Sequence, residues 1–407
     1  MTAREAAYQV VLRVFEDDAY ADRVLRGAAK DLDSRDHALA QRLAFGTVQR
    51  ARTLDHAIDK LGKRPVRKLD PPVRAALRLG AYQLGYTDVP PHAAVNETVE
   101  LVRSAQLERA VPFTNAVMRR LSEGIAPLLA ALPEDNPRAA GLKHSYPDWV
   151  AELWWEELGP EGGLALMRAQ NEPPERVVRL NRRKPGHVEG RADPDLPDAL
   201  HVDRIDEEAL RAGLIWPQSR GSQLAGVVVG SQPGERTLDL CAAPGGKATQ
   251  LEGEVVAVEL HPGRARELEE NCRLLAADNV RVVNADATKL SQELTGFDRV
   301  LVDAPCSGLG VLAARPDLRW RSRPLPELQA ELLRVAADRV KPGGTIVYSV
   351  CTLNPEENEA VVDASGLAIE PLGDEWPQFR HARRPEFLLT QPHLHGTAGF
   401  FIARLRT

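Results

Sequence analysis

The chain has 407 residues, too many for one ordinary hydrophobic core, and this length predicts two domains or two domains with a connecting segment. The net charge of −6, taken over the whole chain, argues against a polyanionic partner. No stretch approaches the ~18 consecutive apolar residues of a membrane span. Residues 1–5 lead into an amphipathic helix rather than a signal peptide, so we expect a cytoplasmic protein with no membrane anchor.

The first part of the chain is predicted to be helical, because its apolar residues recur at spacings of three and four. Ala7, Val10, Val11 and Val14 form one such stripe, and no alternation typical of strands interrupts the series that follows. A proline-rich stretch at residues 130–137 is predicted to end this region. We therefore assign residues 1–135 to an all-α domain.

This helical region also contains a basic stripe. From Arg50 to Arg78 there are nine Lys and Arg residues but only three acidic ones, and the candidate phosphate contacts are Arg64, Arg67 and Lys68. Such a stripe is suited to nucleic-acid phosphates. It is equally typical of a solvated helical face, because clustered Lys and Arg also serve solubility alone. Charge by itself leaves both interpretations open.

Residues 136–215 are predicted to be a connecting and accessory segment. The segment has a turn at Pro173 and Pro174, followed by a predicted strand at residues 177–181. We expect it to pack against the C-terminal domain and to help contact substrate through Arg179, Arg182 and Arg183.

Residues 216–407 are predicted to form an α/β domain with a doubly wound, largely parallel sheet, because short apolar strands alternate with helical patterns. In such sheets ligands bind beyond the carboxyl ends of the strands. The predicted strands are residues 237–241, 255–259, 280–283, 300–303, 345–349 and 400–405.

The first strand runs into a small-residue turn at residues 241–247, which is predicted to lead into a helix whose N-terminus offers free N–H groups. Glu259 ends the next strand, where a carboxylate can accept hydrogen bonds from both ribose hydroxyls of an adenosine-type cofactor. Spacing does not choose between a nicotinamide dinucleotide and S-adenosylmethionine, although the turn lacks the G-x-G-x-x-G pattern of the former. Asp286, after the third strand, is placed either to bind an adenine amino group or to cap the following helix.

Two of the four cysteines follow strands that are predicted to be neighbours, and no C-x-x-C pair indicates zinc or a disulfide framework. Cys306 comes three residues after Asp303, and Cys351 follows the next strand. Either cysteine taken singly is more often a buried, inert thiol. Together with Asp303 they favour a common pocket and covalent catalysis, since a thiolate adds reversibly to an electron-poor carbon.

These residues closely resemble the bacterial RNA cytosine-5 methyltransferases of the Sun/Fmu family, and residues 1–130 resemble the NusB-like domain that accompanies them. The resemblance implies a Rossmann-like, S-adenosylmethionine-dependent methyltransferase domain after an all-α NusB-like domain, with Cys351 as nucleophile and Cys306 assisting product release. The segments that carry it are residues 241–247, 303–308, 315–320, 348–359 and 399–405. The residues that it implies for cofactor binding are Cys241, Ala242, Ala243, Pro244, Gly245, Gly246, Lys247, Glu259, Asp286 and Asp303.

The proposed chemistry gives two further residues a role. Adding a thiolate to carbon 6 of cytosine places negative charge on the ring, and Asp303 is the candidate that hydrogen-bonds or protonates N3 and holds the exocyclic amine. Lys247 is a candidate for steadying Asp303 or the base, although a Lys at such a position is often merely solvated. Three positions depart from the family pattern: Glu259, where Asp is frequent; Ser219, where the family often has Asp; and Val350, which replaces a small hydroxyl residue.

Arg315, Arg319 and Trp320 are expected at the rim of the pocket, where guanidinium groups bind phosphates and an aromatic ring stacks on a base. The alternative is a basic surface loop with Trp320 packed into the core. By resemblance, the substrate is a cytosine of 16S ribosomal RNA. Because a base inside a helix cannot be reached, we expect this cytosine to be single-stranded or flipped, and we expect the protein to be a monomer without a metal. A transfer RNA substrate, a non-catalytic ribosome-assembly factor and a nicotinamide-dependent oxidoreductase remain as alternatives.

Overall fold

The computed structural model describes all 407 residues, which form two compact units. The helical unit comprises Met1–Glu172 together with Leu312–Arg321, and the sheet unit comprises Pro173–Val311 and Ser322–Thr407. The division of the chain at residues 135 and 215 stays a prediction. None of the helices combines the length and the apolar character that crossing a bilayer requires.

Nine helices and two short 3-10 turns within residues 1–172, together with a four-residue helix at Leu318–Arg321, build the helical unit, so the predicted all-α N-terminal fold is confirmed. Its core is made of aliphatic side chains on the inner helix faces, including Leu43, Leu54, Ile58 and Leu77. The helices are α1 (Ala3–Glu16), α2 (Ala21–Ala28), α3 (Ser34–Gln49), α4 (Ala51–Gly62), α5 (Pro71–Tyr86), α6 (Pro91–Ser104), α7 (Val111–Ala130), α8 (Pro137–His144) and α9 (Asp148–Ala169).

Local sequence explains where the first helix begins and which face it buries. Thr2 and Glu5 form a reciprocal capping box that satisfies free N–H groups at the start of α1. The stripe Ala7, Val10, Val11 and Val14 lies at helical spacing and is buried.

Residues Leu312–Arg321 belong to the helical unit although sheet-unit residues flank them in sequence. Arg319 is 1% exposed, its Nη2 donates to the carbonyl oxygen of Gln170 at 2.8 Å, and its Nη1 donates to carbonyl oxygens of helical-unit loops. Trp320 packs on the helical core, and its Nε1 donates to the carbonyl oxygen of Val48 at 2.7 Å. The expected contact of Arg319 and Trp320 with RNA is therefore wrong for this structure, because the protein itself occupies both side chains.

The sheet unit begins with a small antiparallel sheet in the order β2-β3-β1-β4. The strand predicted at residues 177–181 is its β1. The elements are β1 (Val177–Leu180), β2 (Arg191–Ala192), β3 (Ala199–His201), α10 (Glu207–Arg211) and β4 (Ile215–Pro217).

The main sheet has the order β10-β12-β9-β8-β5-β6-β7, and β11 pairs with β12. Strands β5 to β9 are parallel to their neighbours, whereas β12 is antiparallel to β9, which confirms the Rossmann-like α/β prediction. The elements are α11 (Arg220–Val229), β5 (Arg236–Asp239), β6 (Glu254–Glu259), α12 (Pro262–Leu274), β7 (Val280–Asn284), β8 (Phe297–Asp303), α13 (Leu318–Arg321, in the helical unit), α14 (Pro326–Arg339), β9 (Val340–Val350), α15 (Glu359–Ser365), β10 (Ala368–Glu370), β11 (Leu388–Thr390), α16 (Pro392–His395) and β12 (Phe400–Arg406).

The turn after β5 differs from the prediction, because no α-helix follows it. Gly245 has a φ of +109°, in the region that favours glycine, and a short 3-10 turn at Ala248–Gln250 comes next. β6 begins already at Glu254, so too few residues remain for an α-helix. The loop between β5 and β6 therefore consists of the glycine turn and one 3-10 turn.

We expect Arg319→Ala to lower the free energy of unfolding by about 3 kcal/mol, because the change leaves buried carbonyl oxygens without a donor. Urea unfolding of the full chain, followed by circular dichroism, measures this loss. Arg323→Ala is the matched control, since Arg323 is exposed. Equal stabilities of the two variants would contradict the structural role of Arg319.

Candidate active site

Two cavities lie beyond the carboxyl ends of β5, β6, β8 and β9, and Ala243 and Asp303 line both of them. The acidic cavity has a volume of about 250 Å³, and its polar lining includes Glu259, Asp286 and Asp303. The thiol cavity has a volume of about 260 Å³, and its lining includes Asp239, Lys247, Asp303, Cys351 and Phe400. Asp303 therefore stands where the two cavities meet.

The acidic cavity holds two carboxylates in fixed orientations. Glu259 is 4% exposed, and its Oε1 accepts a hydrogen bond from the backbone N–H of His261 at 2.8 Å. Asp286 Oδ1 accepts from the hydroxyl of Thr288 at 2.7 Å and from its N–H at 3.0 Å, and these bonds hold the pKa of Asp286 below its usual range. Asp286 thus caps a short turn and lines the cavity at the same time, so the capping role is confirmed and the contact with an adenine amine stays a prediction.

The chemistry of the acidic cavity suits a cationic adenosine derivative. Carboxylate oxygens accept hydrogen bonds from ribose hydroxyls and from an adenine amine, and the side chains of Leu260, Leu328 and Leu332 offer apolar contact to a purine ring. A dinucleotide suits it less well, because three lining carboxylates repel a pyrophosphate. The backbone of the predicted cofactor turn is tied to this cavity, since Arg264 Nη2 donates to the carbonyl oxygen of Ala243 at 2.8 Å.

The two strand-end cysteines are in contact. Cys306 Sγ lies 3.4 Å from Cys351 Sγ, and both thiols are free. A hydrogen bond from the Cys306 S–H lowers the pKa of Cys351, and the Lys247 ammonium acts in the same direction. The same hydrogen bond, together with burial, raises the pKa of Cys306 well above its usual value. Burial and the Asp303 charge oppose ionisation of Cys351, but the direction of the two shifts favours a thiolate on Cys351 over one on Cys306.

A buried ion pair orients the carboxylate between the cavities. Lys247 is 9% exposed, and its Nζ lies 2.8 Å from Asp303 Oδ2. Ser349 Oγ donates to Asp303 Oδ1 at 2.7 Å, and Lys247 Nζ stands 4.9 Å from the centre of the Phe400 ring. These contacts leave Asp303 and Lys247 with little rotational freedom.

Asp239 is a site residue that the sequence analysis did not single out. It is 1% exposed and lines the thiol cavity, and its Oδ2 has no hydrogen-bond partner. Burial and the nearby Asp303 charge raise the pKa of Asp239 to about 7. Ser349 and Phe400 were missed as well. Ser349 lies two residues before Cys351, and Phe400 lies in the C-terminal motif at residues 399–405. These positions were the sequence signal that could have identified both residues.

Cys241, the cysteine of the predicted cofactor turn, has no reactive thiolate. Cys241 lines the acidic cavity, and burial raises its pKa well above the usual value. Its thiol is therefore protonated, and Cys241 contributes its backbone and its volume. Ser219, the departure noted above, caps α11 by accepting from the N–H of Ser222 and lines the thiol cavity.

The arginines of the accessory segment form hydrogen bonds or ion pairs with other protein groups. Arg179 is buried, and its Nη2 donates to Thr249 Oγ1 at 2.8 Å. Arg183 donates to the carbonyl oxygens of Thr249 and Leu251, and Arg182 pairs with Asp198. The expected substrate contact through Arg179 and Arg183 is thus wrong here, because both side chains brace the 3-10 turn that follows Lys247.

The basic residues predicted to contact RNA lie in the helical unit and differ in their surroundings. Arg64, Arg67 and Lys68 are exposed and form no ion pair, and Lys63 beside them is exposed too. Arg315 is half-buried and pairs with Asp317 at 3.3 Å and with Asp22 at 3.8 Å. The four exposed residues, Lys63, Arg64, Arg67 and Lys68, are called the basic patch below.

Comparisons with known proteins agree with this geometry. The model of the NusB family matches residues 1–123, and the model described as 16S rRNA methyltransferase RsmB/F matches residues 227–406. A Synechocystis protein named "Probable ribosomal RNA small subunit methyltransferase B" is 33% identical, and the match covers 100% of this chain and 99% of the relative. The chain belongs to the RsmB/F methyltransferase family.

Two further comparisons extend over the same length. A Bacillus subtilis protein of the same name is 30% identical, with 100% of this chain and 98% of the relative covered. The crystal structure of PH0851 superimposes with a TM-score of 0.84 at 24% identity, covering 100% of this chain and 99% of that one, and this shows a common fold. These matches thus extend over both the NusB region and the methyltransferase region of this chain.

Proposed function

We propose that this RsmB/F family member transfers a methyl group from S-adenosylmethionine to carbon 5 of a cytosine in 16S ribosomal RNA, through a covalent bond between Cys351 Sγ and carbon 6. The observation that carries the proposal is the contact between Cys306 and Cys351, which favours a thiolate on Cys351 in a cavity that shares Asp303 with the acidic cavity. The names of the relatives support small-subunit ribosomal RNA as the substrate.

The thiolate is needed because carbon 5 of cytosine is a poor nucleophile. When Cys351 Sγ adds to carbon 6, a carbon–sulfur bond forms and the ring becomes an enamine whose electron pair is available at carbon 5. The hydrogen bond from Cys306 and the Lys247 ammonium lower the pKa of Cys351, so the attacking thiolate forms more readily than on an ordinary cysteine.

Asp303 and Lys247 are suited to hold the base during this addition. The Asp303 carboxylate accepts a hydrogen bond from the exocyclic amine. Lys247 is the one cation among the residues that line the thiol cavity, and it faces the negative charge that the addition places on the ring. Their ion pair keeps both groups in place before the base arrives.

The acidic cavity would hold the methyl donor. Glu259 would accept from the ribose hydroxyls and Asp286 from the adenine amine. When bound, S-adenosylmethionine supplies an electrophilic methyl group to carbon 5. Because Ala243 and Asp303 line both cavities, the two cavities adjoin at these residues, and the donor methyl group would meet carbon 5 of the base there.

Product release requires that carbon 5 give up its proton to a base, here a solvent water, and that the electron pair left behind re-form the C5–C6 double bond while the C6–S bond breaks and Cys351 leaves as a thiolate. Cys306 Sγ lies 3.4 Å from the departing sulfur, and its S–H stabilises the developing negative charge by a hydrogen bond. The raised pKa of Cys306 keeps that proton on Cys306. In this scheme Cys351 attacks and Cys306 promotes release.

The basic patch is proposed to bind RNA phosphates. Lys63, Arg64, Arg67 and Lys68 project from one end of α4 and the turn after it, with no carboxylate paired to them. Four such cations favour contact with a sugar–phosphate backbone, a contact that carries no sequence information by itself. The patch therefore supplies affinity, while the thiol cavity selects a flipped or single-stranded cytosine.

We expect Cys351→Ala to abolish methyl transfer and to leave the affinity for S-adenosylmethionine unchanged, because Cys351 lines the thiol cavity and not the acidic one. Transfer of a radioactive methyl group to 16S ribosomal RNA and calorimetric titration measure the two properties. Cys306→Ala is the matched control and should accumulate a protein–RNA adduct on a denaturing gel. Methyl transfer by purified Cys351→Ala protein would refute the covalent mechanism.

Replacement of all four residues of the basic patch by Ala should weaken RNA binding and reduce the slope of log affinity against log salt by about 3, since each lost phosphate contact to a single strand removes ~0.7. Fluorescence anisotropy over a salt series measures the slope. The matched control replaces four exposed arginines that pair with carboxylates, namely Arg13, Arg138, Arg211 and Arg334. A patch variant with the slope of the control would exclude docking at this surface.

A further inference from the structure

A single carboxylate lies behind the two catalytic cysteine turns without touching either cavity. Glu357 is fully buried and pairs with no cation. Its Oε1 accepts hydrogen bonds from the backbone N–H of Ser307 at 2.9 Å, from the backbone N–H of Leu325 at 3.1 Å and from Gln329 Nε2 at 3.0 Å. Its Oε2 accepts from the hydroxyl of Ser307 and, at 3.4 Å, from the hydroxyl of Thr352. Neutral donors alone satisfy this buried charge.

Two of these donors are the residues that follow the cysteines. Ser307 comes directly after Cys306, and Thr352 comes directly after Cys351. Their hydroxyl oxygens also lie 2.7 Å from each other. One carboxylate therefore ties together two turns from different strands, and the sulfur atoms that these turns carry lie 3.4 Å apart.

The charge of Glu357 acts on the thiols in a second way. The pKa of Cys306 is raised mainly by its hydrogen bond to Cys351, by burial and by the charge of Cys351. The negative charge of Glu357 raises it further. Glu357 also binds the turn of Cys306 more closely than that of Cys351, since Ser307 donates to it through both its N–H, at 2.9 Å, and its hydroxyl, whereas Thr352 donates only through its hydroxyl at 3.4 Å. The carboxylate therefore penalises a thiolate on Cys306 more than one on Cys351.

We propose that Glu357 is a positioning residue that holds Cys306 and Cys351 in contact and keeps their shared proton on Cys306, so that Cys351 is the thiolate. The inference rests on the proposed function only in giving Cys351 the role of nucleophile. Glu357 touches neither base nor methyl donor, and it acts through Ser307 and Thr352.

The test measures which sulfur atom is the thiolate. The full-length protein is treated briefly with iodoacetamide at pH 7, and mass spectrometry of the peptides gives the initial alkylation rates of Cys351 and Cys306. In Glu357→Gln the shape of the side chain is kept and its charge is lost, so the ratio of the rate at Cys351 to that at Cys306 should fall by about 10-fold. Glu356→Gln is the matched control, because Glu356 is adjacent and exposed, and it should leave the ratio unchanged.

An unchanged ratio in folded Glu357→Gln protein would overturn the proposal. Should that variant fail to fold, Thr352→Val removes one donor of the network while keeping the side-chain shape, and it should lower the same ratio. A Thr352→Val ratio equal to that of the wild type would then count against the proposal.

Turnover provides an independent readout that a merely structural role does not move. With protein-free 16S ribosomal RNA, Glu357→Gln should lower kcat by about 10-fold and leave both KM values unchanged, because thiolate placement affects chemistry and not binding. A rise in KM with unchanged kcat would contradict a positioning role. The alkylation ratio needs no turnover, so loss of the covalent mechanism and loss of the Glu357 role are distinguishable.

Discussion

Asp303 and Ser349 are paired in the register of the parallel strands β8 and β9. Side chains just beyond the carboxyl ends of such strands emerge at the same edge of the sheet. Cys306, three residues after Asp303, therefore meets Cys351, two residues after Ser349, and the Ser349 hydroxyl holds the Asp303 carboxylate. A slip of one residue would turn each strand's side chains to the opposite face and would separate the thiols from the carboxylate.

Charge distribution around this register decides what the site can do. Asp239, Glu259 and Asp303 place carboxylates near the first turn, and their mutual repulsion contributes to the raised pKa of Asp239, about 7. Formation of a thiolate adds one more negative charge to this surrounding. Lys247 and the Cys306 S–H stabilise that charge at Cys351, whereas Glu357 opposes it at Cys306. The two thiols differ in their neighbours, and this difference gives them different tasks.

The sequence predicted the parts of the molecule that follow from local patterns. Apolar spacing located the helical N-terminal fold and the parallel strands, and the strand-end rule placed Cys306, Cys351, Glu259, Asp286 and Asp303 at one edge of the sheet. Long-range contacts were not predictable in this way. Arg319 resembles a surface residue in a basic motif, yet its segment belongs to the helical unit, where backbone carbonyl oxygens bind its guanidinium.

Glu357 shows the same limit at the site. Apart from the nearby Thr352, its donors come from positions 50, 32 and 28 residues away in the chain, so no local pattern connects it to Cys306. The α-helix that was predicted after the turn at residues 241–247 is absent for a different reason. β6 begins at Glu254, and the residues before it are too few for an α-helix. Sequence patterns thus located the reactive groups, whereas the contacts that orient them depend on the folded chain.

The central claim is that Cys351 Sγ bonds to carbon 6 of the target cytosine. RNA that carries 5-fluorocytidine tests it most directly, because fluorine at carbon 5 cannot leave as the proton does and the adduct persists after methyl transfer. Wild-type protein, S-adenosylmethionine and this RNA should give a digested peptide in which a methylated fluorocytidine nucleotide is attached to Cys351. Attachment to Cys306, or the absence of any adduct while unmodified RNA is methylated, would contradict the account.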